Sequence, residues 1–247
     1  MSQWVINGLR TGIKTTVYPR DQECAAGVTP GLPCDTLAPS LSAAEALVKC
    51  CPTNVFSRNN EQISADSRRC IHCYRCLRDV EHPANWEQSY EWGIVRDGQR
   101  EFDQPFHRSI HICVVDAGDC GACLNEVRQL TNPYYNMHRL GFFITPSPRH
   151  ADVLLVVGTV TDYMKLALQK IYDAMPTPKR VLAVGACALT GSVFADSFVC
   201  SKGLADVLPV DVEVPGQPPP PRAILHGLLV AVGRKIPATQ ISPASVT

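Results

Sequence analysis

Cys70, Cys73 and Cys76 stand at even spacing in C-I-H-C-Y-R-C, with Cys51-Pro52 a short way upstream. Farther along, Cys120 and Cys123 lie in D-C-G-A-C-L, and Cys187 closes V-L-A-V-G-A-C. Thiolates are soft, anionic ligands suited to iron and zinc. Zinc sites favour paired cysteine knuckles at separate points of the chain. An evenly spaced triplet on one tight loop instead lets each sulfur reach a different iron of a polynuclear cluster. A short loop cannot surround such a cluster, so the fourth ligand must arrive from elsewhere. The chemistry on offer is iron–sulfur ligation and electron carriage.

The bulk composition narrows the alternatives. Twelve cysteines could mean a disulfide-rich secreted protein, but such scaffolds are usually short and this chain has 247 residues, and residues 1–16 lack the apolar run and small-residue cleavage site of a signal peptide. Clustered C-x-x-C spacing in a reducing compartment points to metal. The 23 basic and 23 acidic residues cancel, which leaves no footprint for nucleic acid or a membrane surface. Hydrophobic residues make up 45% of the chain, enough for a sizeable core. The longest apolar stretch, Ala223 to Val232, is interrupted by His226 and Gly227 and is too short to span a bilayer. No Ser/His/Asp set or phosphate-cradling glycine loop is found, so no catalytic residue is assigned to this chain.

The elements that must position these cysteines differ between the two halves. Residues 1–40 are rich in Gly and Pro and read as an extended arm. Leu41 to Lys49 has helical spacing, Asn54 to Ser64 reads as a hairpin, and Cys70 to Leu77 as a metal-binding turn. Residues 81–107 read as a polar and aromatic linker. From Ile110 onward, apolar runs alternate with amphipathic stretches, the pattern of a parallel sheet covered by helices. Strands are expected over residues 110–116, 141–145, 152–158, 180–185 and 208–214. Helices are expected over 124–131, 162–175 and 221–235, and a loose tail over 237–247. The fold class is α/β, a flavodoxin-like parallel sheet with helices on both faces, preceded by a small ferredoxin-like iron–sulfur domain. A flavin protein of that fold would need a Ser/Thr-rich phosphate loop where this chain has A-G-D-C-G-A-C.

The first cysteine group resembles half of a bacterial ferredoxin, whose C-x2-C-x2-C-x3-C-P run sends its last cysteine to the other cluster. Here L-R-D-V-E-H-P follows Cys76, and the Cys-Pro lies upstream instead. One ancestral cluster is therefore missing, and Cys51, Cys70, Cys73 and Cys76 are assigned to a single 4Fe–4S cluster. Cys50 is the weaker alternative to Cys51. His72 reads as a solvated spacer or a donor behind the ligands.

In the second group, Cys120, Cys123, Cys187 and Gln217 each follow the carboxyl end of a strand, where doubly wound sheets gather their ligands. D-A-G-D-C-G-A-C-L-N-E-V, S-P-R-H-A-D-V-L-L-V-V-G-T-V-T, V-L-A-V-G-A-C-A-L-T-G-S-V-F and L-P-V-D-V-E-V-P-G-Q-P-P-P-P together resemble the small, electron-transferring subunit of NiFe hydrogenases. The match is to the membrane-bound, formate-hydrogenlyase-like group, which has a B-type homologue in respiratory complex I. The resemblance covers residues 110–233, and the start, G-L-R-T-G-I-K-T-T-V-Y-P, looks like the entry arm of ferredoxin subunits from such complexes.

The resemblance implies a proximal 4Fe–4S cluster on Cys120, Cys123, Cys187 and the cysteine of a P-G-C-P-P motif. Gln217 occupies that last position. Glu126 matches an acidic position of the motif, and Arg149 and His150 match the segment near the cluster and the partner interface. With a neutral carboxamide in place of a thiolate, the site is open to 4Fe–4S, 3Fe–4S or no cluster. Cys200 is a candidate replacement ligand, Cys113 reads as core, and Cys24 and Cys34 are given no metal.

The expected organisation is an arm over 1–40, a single-cluster ferredoxin-like domain and linker over 41–108, a hydrogenase small subunit-like domain over 109–236, and a tail. The expected function is electron transfer between a hydrogenase-like large subunit and a ferredoxin-type partner. Other iron–sulfur and membrane subunits complete the expected assembly. The chain would sit on the cytoplasmic face of the membrane through those partners. The alternative is a structural subunit of a complex I-like assembly whose proximal cluster is altered or lost.

Overall fold

The computed structural model describes residues 2–21, 31–96, 109–195 and 197–238. The first of these is not simply extended, as the Gly and Pro content suggested. Helix α1 spans Gln3–Thr11 and buries none of its residues. The following stretch is pinned to the sheet domain: the Thr16 N–H donates to the Tyr134 carbonyl at 2.8 Å, and Tyr18 is buried. Cys24 lies outside the described residues.

The first cysteine module is built from short pieces. Strands β1 (Leu32–Pro33) and β2 (Thr36–Leu37) precede α2 (Leu41–Cys50). Ser40 accepts the Ala43 N–H and caps that helix. Strands β3 (Phe56–Asn59) and β4 (Gln62–Ala65) form an antiparallel hairpin, to which β2 adds a third strand. A single turn, α3 (Arg75–Arg78), closes the metal-binding loop. Ala44, Leu47, Val55, Phe56 and Ile63 bury a small core with Cys70 and Cys76.

The span read as a linker carries structure that aligned apolar runs could not reveal. Strand β5 (Trp86–Glu87) pairs with β1, and β6 (Ile94–Val95) joins the main sheet at its edge, antiparallel. Residues 97–108 lie outside the described residues.

The main sheet holds β7 (Ile110–Asp116), β8 (Phe142–Ile144), β9 (Val153–Val157), β10 (Arg180–Val184) and β11 (Val212–Val214). The order β6-β11-β10-β9-β7-β8 places the parallel strands, counted along the chain, as 2-1-3-4-5, the flavodoxin-like order. Strand β9 is buried at every position, as a central strand covered on both faces must be. The run expected from residue 208 shortens to Val212–Val214, because Pro209 has no N–H to give a ladder.

Helices α4 (Ala122–Gln129), α5 (Asp162–Ala174), α6 (Ala186–Thr190) and α7 (Pro221–Ala231) flank the sheet. Helix α7 is buried all round, the mark of a helix enclosed on every side. Its close approach depends on Gly227, where a Cβ would meet Val214 Cγ2 at 2.3 Å.

Helix α7 also buries His226. Nδ1 accepts the Gly93 N–H at 2.8 Å, and Nε2 faces the Ile236 carbonyl at 3.2 Å. Burial holds this imidazole below its ordinary pKa. Between the lowered folded value and the ordinary value, the unfolded chain binds the proton more readily. Stability therefore rises with pH through that window and is lost as pH falls through it. Urea midpoints measured across a pH series are expected to drop below about pH 6.5, and less steeply in His226→Gln.

Candidate metal centres

The loop before α3 bends through His72 (φ 53°) and Tyr74 (φ 59°), both left-handed. Recurrent left-handed residues turn successive backbone N–H groups toward one concavity, the kind of nest found at many iron–sulfur sites. The result is a small recess whose wall includes Cys51, Cys70, Cys73 and Cys76. Val55, Phe56, Ile71 and Trp86 are among its apolar lining. Cys51 Sγ receives the Val55 N–H at 3.3 Å. Cys50 turns away: its Sγ lies 3.1 Å from the Leu47 carbonyl, inside α2.

Burial pushes the Cys70 thiol up to about 12 and raises Cys76 as well. The bare Cys70 thiol therefore stays protonated at neutral pH. A cationic group in the cavity would supply the charge that ionises it. Among the described residues, no group of three or more His, Cys, Asp or Glu converges closely enough for a single metal ion. The four thiols surround a volume rather than a point, and a soft, all-sulfur donor set around a volume fits a polynuclear cluster.

The second group forms at the carboxyl edge of the sheet. Asp116 Oδ1 accepts the N–H groups of Gly118 and Asp119 at 2.8 and 2.6 Å. Asp119 Oδ2 in turn accepts those of Gly121 and Leu124, both at 3.0 Å. These two aspartates, which sequence reasoning passed over, fold D-A-G-D-C-G-A-C into a tight loop. The D-x-x-D spacing ahead of a helix was the available signal. Cys123 is fully buried, Cys187 nearly so, and Cys120 is exposed. Burial raises the Cys123 and Cys187 thiols, with Asp119 and neighbouring cysteines adding to the effect; Glu126 adds at Cys123.

Gln217 lies between two of these cysteines. Its Oε1 is 3.5 Å from Cys123 Sγ, and its Nε2 is 3.4 Å from Cys187 Sγ. Cys123, Cys187 and Gln217 are thus brought together, with Cys120 on the same loop as Cys123. Cys200 pairs with Thr161 in an isolated bridge, and the place beside Cys123 and Cys187 belongs to Gln217. Arg149 and His150 are exposed on the turn before β9. Cys113 is buried in the core between the sheet and α5.

Gly185 makes the second site possible. At φ 92° it holds a conformation that L side chains avoid, and a Cβ there would stand 2.6 Å from Cys123 Sγ. Gly185→Ala is expected to cost about 2–4 kcal/mol, read by chemical denaturation.

The two modules are pinned together beside their sites. Arg68, just before Cys70, and Arg96 reach the buried Glu213 on β11 at 3.9 and 3.3 Å. The turn Ser67–Arg69 packs on α6, which carries Cys187.

The model of the family described as NADH ubiquinone oxidoreductase, 20 Kd subunit, matches residues 120–231. An uncharacterised protein of Methanocaldococcus jannaschii is 43% identical over 129 residues, 52% of this chain and 86% of its own length. A probable membrane-bound hydrogenase subunit of Pyrococcus furiosus is 43% identical over 125 residues, 51% of this chain and 75% of its own length. An NADH-quinone oxidoreductase subunit of Heliobacterium modesticaldum is 42% identical, covering 50% of this chain and 69% of its own length.

Proposed function

The chain belongs to the NADH ubiquinone oxidoreductase 20 Kd subunit family, and from that premise we propose that it is an iron–sulfur electron-transfer subunit of a membrane-associated oxidoreductase complex, hydrogenase-like or complex I-related. The observation that carries this reading is the cavity walled by Cys51, Cys70, Cys73 and Cys76. These four residues would hold a 4Fe–4S cluster, which when bound supplies reversible one-electron transfer. The chain's own part is to present four sulfurs and to exclude water with Val55, Phe56, Ile71 and Trp86. The Val55 N–H stabilises charge on Cys51 Sγ.

Cys120, Cys123 and Cys187 would hold a second cluster, 4Fe–4S or 3Fe–4S, with Gln217 at the fourth position. Exchanging a thiolate for a neutral carboxamide removes negative charge and raises the reduction potential. The proposed organisation keeps a ferredoxin-like half over residues 41–108 and a hydrogenase small subunit-like domain over 109–236.

A large partner would carry the catalytic centre, and this chain would relay electrons between it and a ferredoxin-type subunit. Exposed Val193, Phe194, Phe198 and Val199 follow α6, and α1 exposes Trp4 and Leu9. Apolar surface of this kind suits subunit contacts. Among the described residues no helix is long and apolar enough to cross a membrane, so attachment would run through partner subunits.

Iron and sulfide analysis with EPR on the reduced protein tests the proposal. Two distinct cluster signals are expected. A single signal lost with the Cys70 loop would remove the second cluster, and iron-free protein after anaerobic reconstitution would sink the reading entirely.

Gln217, seated against both Cys123 and Cys187, favours one other reading: a structural subunit whose proximal site no longer carries electrons. Copurification of the large subunit and assay of its nickel would separate the two.

A further inference from the structure

One side chain joins the two candidate sites. His72 stands between Cys70 and Cys73 in the first loop. Its Nδ1 accepts the backbone N–H of Gln217 at 3.1 Å, across 145 positions of sequence. An imidazole nitrogen that accepts carries no proton, so the ring proton resides on Nε2. Nε2 then donates to the Gly31 carbonyl at 3.0 Å. The ring also stacks on Trp92, with centroids 5.9 Å apart and planes 19° from parallel, and lies 5.8 Å from the Trp86 ring. Both nitrogens are engaged and two indole rings lie beside the imidazole, unlike the solvated spacer that the motif alone allowed.

The Gln217 segment is held from outside: the Ala186 N–H donates to the Gly216 carbonyl at 2.8 Å, and His72 takes the Gln217 N–H of the same peptide unit. Pro215–Pro221 contains backbone N–H groups only at Gly216 and Gln217, because every other residue in it is proline. A segment so poor in donors cannot brace itself through its own hydrogen bonds. The bond to His72 anchors the peptide whose side chain contacts Cys123 and Cys187.

We propose that His72 is a positioning residue coupling the two sites: from within the first ligand loop it holds the Gln217 peptide, and through it the carboxamide lodged between Cys123 and Cys187. The inference rests on reading both groups as iron–sulfur ligand sets. It means that the geometry of the second site is set in part by the first loop, so the two are assembled and tuned as one unit.

Hydrogen–deuterium exchange on the full-length, iron-loaded protein tests this directly. A peptide covering Pro215–Pro221 reports on two amides only, one of them the donor to His72. That peptide is expected to be protected in the parent protein. In His72→Phe, which keeps a ring beside Trp92 but removes the acceptor, exchange is expected to be roughly 10-fold faster. His72→Asn offers an oxygen near the place of Nδ1 and suits a left-handed position, and is expected to restore protection to within about threefold of the parent. Equal exchange in the parent and His72→Phe would overturn the proposal. So would open-chain exchange of this peptide in the parent, a result that needs no variant to fold. Iron and sulfide assayed on the same samples report on the ligand sets separately, so failure of the iron–sulfur reading is not mistaken for absence of the hydrogen bond.

Discussion

In iron-reconstituted protein, Cys51→Ala is expected to abolish the 4Fe–4S EPR signal of the first site, while Cys50→Ala leaves it in place. The two thiols are adjacent in sequence but differ in surroundings. Cys51 follows the end of α2 in extended conformation and lines the cavity with Cys70, Cys73 and Cys76. Cys50 is still within the helix, and its Sγ is engaged with the Leu47 carbonyl. Burial holds the Cys50 thiol up to about 11, consistent with a small hydrophobe packed beside Leu47. Losing Cys51 removes one of four anionic ligands and leaves Cys70, Cys73 and Cys76, a set that suffices for 3Fe–4S but not for a cubane with four cysteine ligands, so iron content should fall by about one atom per chain or more. Cys50→Ala should instead register only as a modest loss of stability, about 1 kcal/mol. Retention of the signal in Cys51→Ala, with loss in Cys50→Ala, would reverse the assignment.

Gln217→Cys is expected to have the second large effect. The carboxamide stands within 3.5 Å of both Cys123 Sγ and Cys187 Sγ, so a thiol at this position would join them as a fourth sulfur. Gly216 and the surrounding prolines, which shape the turn, are unchanged by the substitution. The added thiolate places one more negative charge beside the iron, which favours the oxidised form. The midpoint potential of the second site should fall by on the order of 100 mV, a fraction of the span of about 1 V that ligands and surroundings impose on such clusters. Redox titration followed by EPR reads the shift, and iron per chain shows whether loading also improves. An unchanged spectrum with unchanged iron would mean that position 217 does not face the cluster.

Much of the sheet domain was legible in local pattern. Strand β7 runs from Ile110 to Asp116 as its apolar run indicated, and β9 reads as a buried strand because V-L-L-V-V has no polar position to face water. Helix α5 was marked by its periodic apolar residues and by the prolines at 176 and 178 that follow it. These features depend on burial and backbone chemistry that each residue carries with it. Helix α1 was missed because an amphipathic nine-residue helix with nothing buried carries little signal against the Gly and Pro around it. Strands β5 and β6 were missed for another reason. Each is two residues long and exists only because a distant edge, β1 or β11, offers hydrogen bonds.

The same division runs through the candidate sites. The sequence alone determined which residue types are present at ligand spacing: an evenly spaced cysteine triplet, an upstream Cys-Pro, and cysteines at strand ends with glutamine where the related motif has cysteine. Spacing within a short loop constrains where sulfurs can reach, so it is informative before any fold is known. Only the tertiary structure decided the relations between segments. It set the cavity shared by Cys51 with a loop about twenty residues away, the lodging of Gln217 against two buried thiols, and the bond from Gln217 to His72. Those relations depend on chain closure over long separations, where a hydrogen bond or a sulfur contact forms only after the sheet and the first module have docked. Glu213 with Arg68 and Arg96, and Trp92 under the His72 ring, hold that docked arrangement, and no local pattern in the sequence announces it.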